Sequence, residues 1–202
     1  MPLLESAKKR ECRVFFVDAA HFVMGSFLGR LWSKARVFIP SSSGRKRYNV
    51  LGAIDTIDHQ TISECNETYI NADSVCNLLR TIRNTVGRNT VSENESCIIP
   101  ITLVMDNARY QRCEPVRLLS DEMEITLLFL PSYSPNLNLI ERVWRWVKSD
   151  CLNCKYHETF GEFKDAINQS IMKVSQVENK KEFDKLLALN FQLFDDVIYD
   201  RR

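Results

Sequence analysis

Three acidic side chains occupy positions where carboxylates often do chemistry in α/β proteins. Asp18 closes an apolar, aromatic and β-branched run at residues 12–18, and Asp106 directly follows a second apolar run at residues 98–105. Runs of this kind predict buried strands. Ligands of open α/β sheets gather at the carboxyl ends of strands. If the two strands are neighbours, the two carboxylates lie side by side.

A third carboxylate, Glu141, is predicted in the first turns of a helix. The chain before it contains two prolines and two asparagines, which favour irregular backbone. Apolar residues then recur at helical spacing, namely Ile140, Val143, Trp144 and Val147. A simpler interpretation of Glu141 is a solvated pair with Arg145, which stabilises a helix only weakly. A strand-end aspartate, likewise, is more often a cap or a turn residue.

A metal ion best explains three such carboxylates if the fold brings them together. Unpaired carboxylates repel one another at low dielectric, and hard oxygen ligands suit Mg²⁺ or Mn²⁺ better than zinc. Two such ions about 3.5–4 Å apart activate water and stabilise the leaving oxygen of an in-line phosphoryl displacement. The pattern therefore favours a metal-dependent phosphoryl-transfer site at Asp18, Asp106 and Glu141.

The elements that must position these residues follow the order strands, helix, strand, helix, strand, helix. Strands are predicted at 12–18, 47–55, 60–66, 98–105 and 125–131, and helices at 73–86, 109–120, from 140, 159–174 and 179–190. Residues 19–29 suggest a second extended segment or hairpin, and the polar stretch 87–97 a surface loop. Short connections between the first three strands predict antiparallel pairing, and helical connections between the later strands predict parallel pairing. We expect an α/β fold with a mixed sheet and helices on both faces.

Composition limits the class of protein. The 202 residues, 45% of them hydrophobic and 26% charged, are enough for one sizeable globular domain. The net charge of +1 excludes a global basic field. No apolar run approaches the roughly 20 residues of a membrane helix, and the N-terminal charges follow the apolar residues, which is the wrong order for a signal peptide. We expect a cytoplasmic protein without a membrane partner.

Positive charge is nevertheless clustered locally. Residues 30–48 hold six basic residues and no acidic one, and these are Arg30, Lys34, Arg36, Arg45, Lys46 and Arg47. Ser41–Gly44 inside this segment is a loop signal. The segment is interpreted either as a solvated loop or as a phosphate-binding loop, and the uncompensated charge favours the second.

The seven cysteines give little evidence of a metal site. Cys151 and Cys154 form a single CxxC pair, with His157 three residues further on. A structural zinc site needs four ligands, and the sequence contains no second pair. We expect free thiols in a reducing compartment.

Two segments resemble a known family. The runs MDNARYQ at 105–111 and LLFLPSYSPNLNLIERVWRWVK at 127–148 resemble the catalytic core of DDE transposases, above all the bacterial insertion-sequence family 630, which is related to the mariner elements. Between Asp106 and Glu141 lie 34 residues, the count characteristic of that superfamily. The run FFVDAAHF at 15–22 resembles the strand with the first aspartate. The match covers roughly residues 12–175.

The resemblance implies a ribonuclease-H-like domain at 1–175, with 176–202 as a helical extension packed on it. It implies that Asp18, Asp106 and Glu141 are catalytic and hold two Mg²⁺ or Mn²⁺ ions. Supporting roles are implied for Asn107, Asn136 and Asn138. Gln111 departs from the pattern, because many relatives have histidine there.

The activity that the resemblance implies is cleavage and strand transfer of double-stranded DNA, at element ends and at a target. The basic residues of 30–48, with Arg145 and Lys148 on the Glu141 helix, are then candidates for DNA binding. Relatives usually begin with helix-turn-helix domains, whereas only a short segment precedes the first strand here. We therefore expect the catalytic half of a split or frameshifted transposase. The expected partners are a separate helix-turn-helix DNA-binding part and a second copy of this chain in a homodimer.

Two alternatives remain. The chain is then either a catalytically silent transposase remnant or a ribonuclease-H-like nuclease that does not transpose. The three intact carboxylates argue against the remnant. The 34-residue spacing and the Pro-Asn-Leu-Asn run argue against the nuclease.

Overall fold

The computed structural model describes residues 2–25, 34–35, 38, 46–87, 89–92, 95–97, 99–131 and 137–189. The strands are β1 (Arg13–Val23), β2 (Arg47–Asp55), β3 (Thr61–Asn66), β4 (Asn89–Ser92), β5 (Glu95–Cys97), β6 (Ile101–Met105) and β7 (Ile125–Phe129). The α-helices are α1 (Pro2–Lys8), α2 (Ala72–Val86), α3 (Glu114–Glu122), α4 (Ile140–Cys151), α5 (Phe160–Val174) and α6 (Lys180–Leu186).

Five strands form one mixed sheet in the order β3-β2-β1-β6-β7. The pairs β1–β2 and β2–β3 are antiparallel, whereas β1–β6 and β6–β7 are parallel. This confirms the predicted mixed sheet. A tight turn joins the antiparallel strands β2 and β3, and α3 connects the parallel strands β6 and β7. The short connection expected between β1 and β2 is wrong, because residues 24–46 lie between them.

The sheet is covered on both faces, as predicted. Every residue of β6 is buried, and so are all residues of β2 after Arg47. On one face α4, α5 and α6 pack on the sheet through residues such as Val143, Ile167 and Phe183. On the other face α2 and α3 pack through residues such as Leu79 and Val116.

Two helices begin where their capping residues predict. The side chain of Asn71 accepts a hydrogen bond from the Ser74 amide before α2, and that of Thr159 accepts one from the Glu162 amide before α5. Both are reciprocal capping boxes, which satisfy amides at the helix start. Helix α4 has no side-chain cap; its first turn contains Glu141.

Several boundaries differ from the sequence-based expectations. Residues 19–23 continue β1 rather than starting a second segment, and residues 26–29 lie outside the described part. The expected loop at 87–97 is wrong, because β4 and β5 pair there as a small antiparallel sheet.

Proline explains two further differences. The strand expected from residue 98 begins only at Ile101, after Pro100, which has no amide hydrogen for the sheet. The helix expected from 109 is a short 3-10 turn at Arg109–Gln111, and α3 then starts separately at Glu114 with Pro115 in its first turn.

Helix α6, the last described helix, packs onto the apolar core under α4 and α5. Phe183 of α6 is fully buried, its ring centroid lies 4.8 Å from that of Trp146, and the Trp146 indole N–H donates to Glu182 at 2.7 Å. The division at residue 175 stays a prediction. No helix among the described residues is long and apolar enough to cross a bilayer.

Candidate active site

Asp18 and Asp106 lie on neighbouring parallel strands. Val17 of β1 pairs with Met105, the last residue of β6, so Asp106 leaves the sheet beside Asp18. Asp18 does not end its strand, contrary to expectation, because β1 continues to Val23 and pairs there with β2. Asp18 is instead the first residue of β1 beyond the β1–β6 pairing, which ends at Val17 and Met105. Among the described residues, the edge of β1 that faces β6 therefore has no strand partner from Asp18 onward.

Glu141 is the second residue of α4, and its side chain is half-buried. The helix lies on the sheet beside β1, where the Trp144 ring meets Phe22 edge-on with centroids 6.3 Å apart. The predicted apolar stripe is thus the buried face of α4, and Glu141 lies beside it in the first turn.

The charges of the other two carboxylates act on Asp18. Burial raises the pKa of Asp18 to about 7, the Ala19 amide opposes this, and the charges of Asp106 and Glu141 raise it further. The indole of Trp144 lowers this pKa slightly, although its nitrogen makes no hydrogen bond within 3.5 Å in the described part of the chain.

The pKa of Glu141 is also raised, chiefly by burial, while Arg145 and Lys148 oppose the shift. Ionising Asp18 and Glu141 therefore costs free energy that a cation would offset.

Tyr110 is a residue of this site that the sequence analysis did not single out. Its pKa is raised to about 12 by burial and by the charges of Asp106 and Asp18, so both carboxylates act on this residue. It stays neutral at physiological pH and can donate a hydrogen bond there. The signal was present in the DNARYQ run, but nothing local distinguishes this tyrosine from a core residue.

The donor chemistry at this site fits a hard divalent cation. Asp18 and Asp106 are adjacent, and the charge of Glu141 reaches Asp18. Yet no group of three His, Cys, Asp or Glu side chains among the described residues is arranged so that it could hold a metal ion as it stands. The side chains would have to converge further to share an ion.

The predicted supporting asparagines have different environments. Asn107 is exposed next to Asp106. Asn138 is buried, and its side-chain Nδ2 donates to the Val17 carbonyl at 3.2 Å. Asn136 lies outside the described residues.

The predicted DNA-binding residues are only partly described. Arg30, Arg36 and Arg45 lie outside the described part, whereas Lys34, Lys46, Arg47, Arg145 and Lys148 are exposed.

Two of these lysines lie over aromatic rings around the far end of β1. The Lys148 Nζ lies 6.0 Å from the Phe22 centroid, and the Lys46 Nζ lies 5.5 Å from that of Phe160. The Met24 amide donates to the Lys46 carbonyl at 2.8 Å, so β2 starts beside the end of β1. Of the exposed cations, Arg145 and Lys148 act on Glu141, whereas Lys46 lies at the end of β1 away from Asp18.

The CxxC segment follows α4. The buried Cys151 thiol donates to the Val147 carbonyl, and burial raises its pKa to about 11. His157 Nε2 donates to the Cys151 carbonyl at 2.9 Å, and Cys154 is exposed. A thiol with a raised pKa is a poor nucleophile and metal ligand.

The sheet order and the carboxylates at the β1–β6 junction define the class of protein, which has the ribonuclease-H-like fold of transposase and integrase cores. The chain belongs to the DDE superfamily endonuclease family, whose model matches residues 13–164. Its placement in insertion-sequence family 630 stays a prediction. Among proteins with curated functions, none matches this sequence.

Solved structures support the fold. The Mos1 strand transfer complex matches with a TM-score of 0.58 at 16% identity, over 96% of this chain and 60% of the Mos1 chain. The Mos1 transposase catalytic domain with Raltegravir and Mn matches with a TM-score of 0.56 at 14% identity, over 96% and 92% of the two chains. A simian T-cell lymphotropic virus intasome matches with a TM-score of 0.52 at 13% identity, over 81% and 48%. The chain therefore spans 60% of the Mos1 chain in the strand transfer complex and 48% of the intasome chain.

Proposed function

We propose that this chain is the catalytic domain of a DDE transposase, which cleaves DNA strands and transfers them to a target. One observation carries the proposal: the register of β1 and β6 sets Asp18 beside Asp106, and Asp18 also senses the charge of Glu141. The Mos1 structures, one of them a paired end complex with Mn, support this assignment by fold alone.

In this proposal Asp18, Asp106 and Glu141 are the ligands of Mg²⁺ or Mn²⁺. Two such ions, when bound, activate the attacking water or 3′-hydroxyl and stabilise the leaving oxygen. Asp18 supplies a half-buried carboxylate on a strand of the central sheet, and Asp106 an exposed one on the chain leaving β6. Glu141 closes the site from α4, whose packing fixes its direction. Tyr110 donates a hydrogen bond to the carboxylates or to a bound phosphate.

The proposed substrate is double-stranded DNA. Arg145 and Lys148 present positive charge near Glu141, and the exposed Lys46 adds to it at the far end of β1, which supports contacts to phosphates. Arg30, Arg36 and Arg45 are proposed to add to them, together with Lys34 and Arg47. A helix-turn-helix partner and a homodimer stay predictions.

The test is nicking and strand transfer by wild type and Glu141→Gln in Mg²⁺ or Mn²⁺. Pre-cut end DNA allows strand transfer to be seen without end recognition, and any helix-turn-helix product encoded beside the gene is added in a parallel set. Activity of the variant should fall by about 10²-fold or more, as expected when a two-metal site loses a ligand. The free energy of unfolding should change little, since a pair of opposite charges at i, i+4 on a helix, such as Glu141 with Arg145, is worth about 0.3–0.5 kcal/mol.

Glu122→Gln is the matched control, because Glu122 is an exposed glutamate at the end of α3. Equal inactivity of wild type and Glu141→Gln would identify a folded remnant. Equal cleavage by both would place the chemistry elsewhere in the chain.

A further inference from the structure

Gly52 of β2 lies where α4 approaches the sheet most closely. A Cβ atom added to Gly52 would lie 2.5 Å from Cη2 and 2.7 Å from Cζ2 of Trp144, and 3.1 Å from Cδ1 of Ile140. The two shorter distances are closer than carbon atoms pack. Only glycine therefore allows α4 to lie this near β2.

The close approach occurs level with the first catalytic carboxylate. Gly52 pairs directly with Asp18 across the antiparallel β1–β2 ladder. Residues opposite each other in such a pair project to the same face of the sheet. Asp18 therefore faces α4, and the missing side chain at Gly52 determines how near Trp144, three residues after Glu141, comes to that face.

Asn138 makes a second connection at the same level. Its Nδ2 donates to the carbonyl of Val17, the residue before Asp18, at 3.2 Å. Its own carbonyl accepts from the Glu141 amide at 3.3 Å. The buried Asn138 is thus hydrogen-bonded to the backbone of the residue before Asp18 and to the backbone of Glu141.

We propose that Gly52 and Asn138 are positioning residues that set the separation between Glu141 and Asp18 and so tune the affinity of the carboxylates for a divalent cation. The proposal rests on the proposed function of these carboxylates. Gly52 acts by letting Trp144 pack on the sheet, and Asn138 acts by joining the start of α4 to β1. Residues behind metal ligands commonly act in this way, because they orient the ligands.

The first experiment measures hydrogen exchange without metal. Asn138→Ala and Gly52→Ala should raise amide exchange in the peptide covering 139–144 by about tenfold, since local opening of α4 becomes easier. Asn168→Ala is one matched control, because Asn168 of α5 accepts a hydrogen bond from the Tyr48 hydroxyl on the same face. Gly161→Ala is the other, since a Cβ there meets nothing closer than 3.7 Å. Neither control should alter this peptide.

The second experiment measures the Mn²⁺ concentration that gives half of the maximal rise in Tm. Asn138→Ala and Gly52→Ala should each need at least about tenfold more Mn²⁺ than wild type, whereas the two controls should match wild type. Adding Trp144→Phe to Gly52→Ala removes the indole ring atoms that clash and should recover part of the affinity. That double variant also keeps the test decisive if Gly52→Ala alone folds poorly.

Three outcomes decide between the explanations. Unchanged exchange in both variants would show that other contacts hold α4, and the proposal would be wrong. Faster exchange with a wild-type Mn²⁺ response would reduce both residues to structural roles and would equally overturn it. Faster exchange in a protein whose wild type ignores Mn²⁺ would locate the failure in the metal site, while the bracing of α4 by Gly52 and Asn138 would stand.

Discussion

At the site, burial and neighbouring negative charges disfavour the ionised forms of two side chains. Asp18 resists ionisation because it is buried and because Asp106 and Glu141 are charged nearby. Tyr110 resists ionisation for the same two reasons. Sites that bind cations or catalyse reactions commonly hold ionisable groups with shifted pKa values, because the protein does not compensate their charge.

Replacing Asp106 tests this excess of charge. Asp106→Asn removes one of the charges that disfavour ionised Asp18, so in EDTA at pH 8 the Tm should rise by about 1–3 °C. In Mn²⁺ the further rise should be smaller than for wild type, because a ligand is lost. Differential scanning fluorimetry measures both, with Asp121→Asn on α3 as the control. A full Mn²⁺ response by Asp106→Asn would remove Asp106 from the ligand set.

At the scale of elements, α4 has two functions on two faces. Its apolar face packs on β1 and β2, and its first turn presents Glu141. Its exposed face carries Arg145 and Lys148, which also oppose the raised pKa of Glu141. One amphipathic helix thus holds the Glu141 carboxylate and presents two cations beside it.

The basic face of α4 predicts salt-dependent binding. The double variant Arg145→Ala and Lys148→Ala should bind duplex DNA more weakly, to a similar degree for all sequences. The slope of log K against log salt should fall by about two units, since each phosphate contact contributes about 0.9. Fluorescence anisotropy at several salt concentrations measures this slope. The pair Lys181→Ala and Lys185→Ala on α6 is matched in charge, and an equal effect there would refute a specific surface.

The turn between β2 and β3 predicts a pH dependence of stability. Burial lowers the pKa of His59, outweighing Asp184, whose carboxylate lies 3.5 Å from the imidazole and raises that pKa. Asp55 and Asp58 raise it as well, and Lys180 lowers it.

The unfolded chain therefore binds the proton first. The free energy of unfolding should decrease as the pH falls below about 6.5, and the decrease should level off below the folded pKa. His59→Asn should flatten this part of the profile, because asparagine tolerates the positive φ of 54°. Asp184→Asn should steepen it by lowering the folded pKa further. Urea unfolding from pH 5 to 8 measures both, and a wild-type slope in His59→Asn would assign the dependence to other groups.

At the scale of the whole molecule, one sheet separates two apolar clusters. The cluster under α4 and α5 includes Val104, and the cluster under α2 and α3 includes Leu103, so successive residues of β6 serve opposite faces. The strand next to Asp106 is thereby held from both sides. A rigid central strand is what keeps Asp106 in register with Asp18.

A core substitution in β6 tests this arrangement. Leu103→Ala should lower the free energy of unfolding by about 2–5 kcal/mol, because Leu103 is fully buried and a cavity remains. Leu118→Ala on α3 should change it by about 0.5 kcal/mol or less, since Leu118 is 56% exposed. Urea denaturation compares the two variants. Similar effects would contradict the central position of β6.

Local pattern was enough to predict much of this protein. The apolar runs before Asp18 and Asp106, the tight turn between β2 and β3, and the helical stripe behind Glu141 depend on residues near one another in sequence. Such patterns predict a mixed sheet, because periodicity and connection length decide which face is buried and how strands pair. The family resemblance rested on the same short segments.

Only the tertiary structure decided the contacts between distant segments. The approach of Trp144 to Gly52, the hydrogen bond from Asn138 to the Val17 carbonyl, and the effect of the Asp18 charge on Tyr110 join residues far apart in the chain. The sequence alone determined the five strands of the main sheet and the helices α2, α4 and α5, because each is specified by its own spacing of apolar residues. The distances between those elements depend on register across the sheet and on side-chain volume at each contact, and no local pattern specifies either.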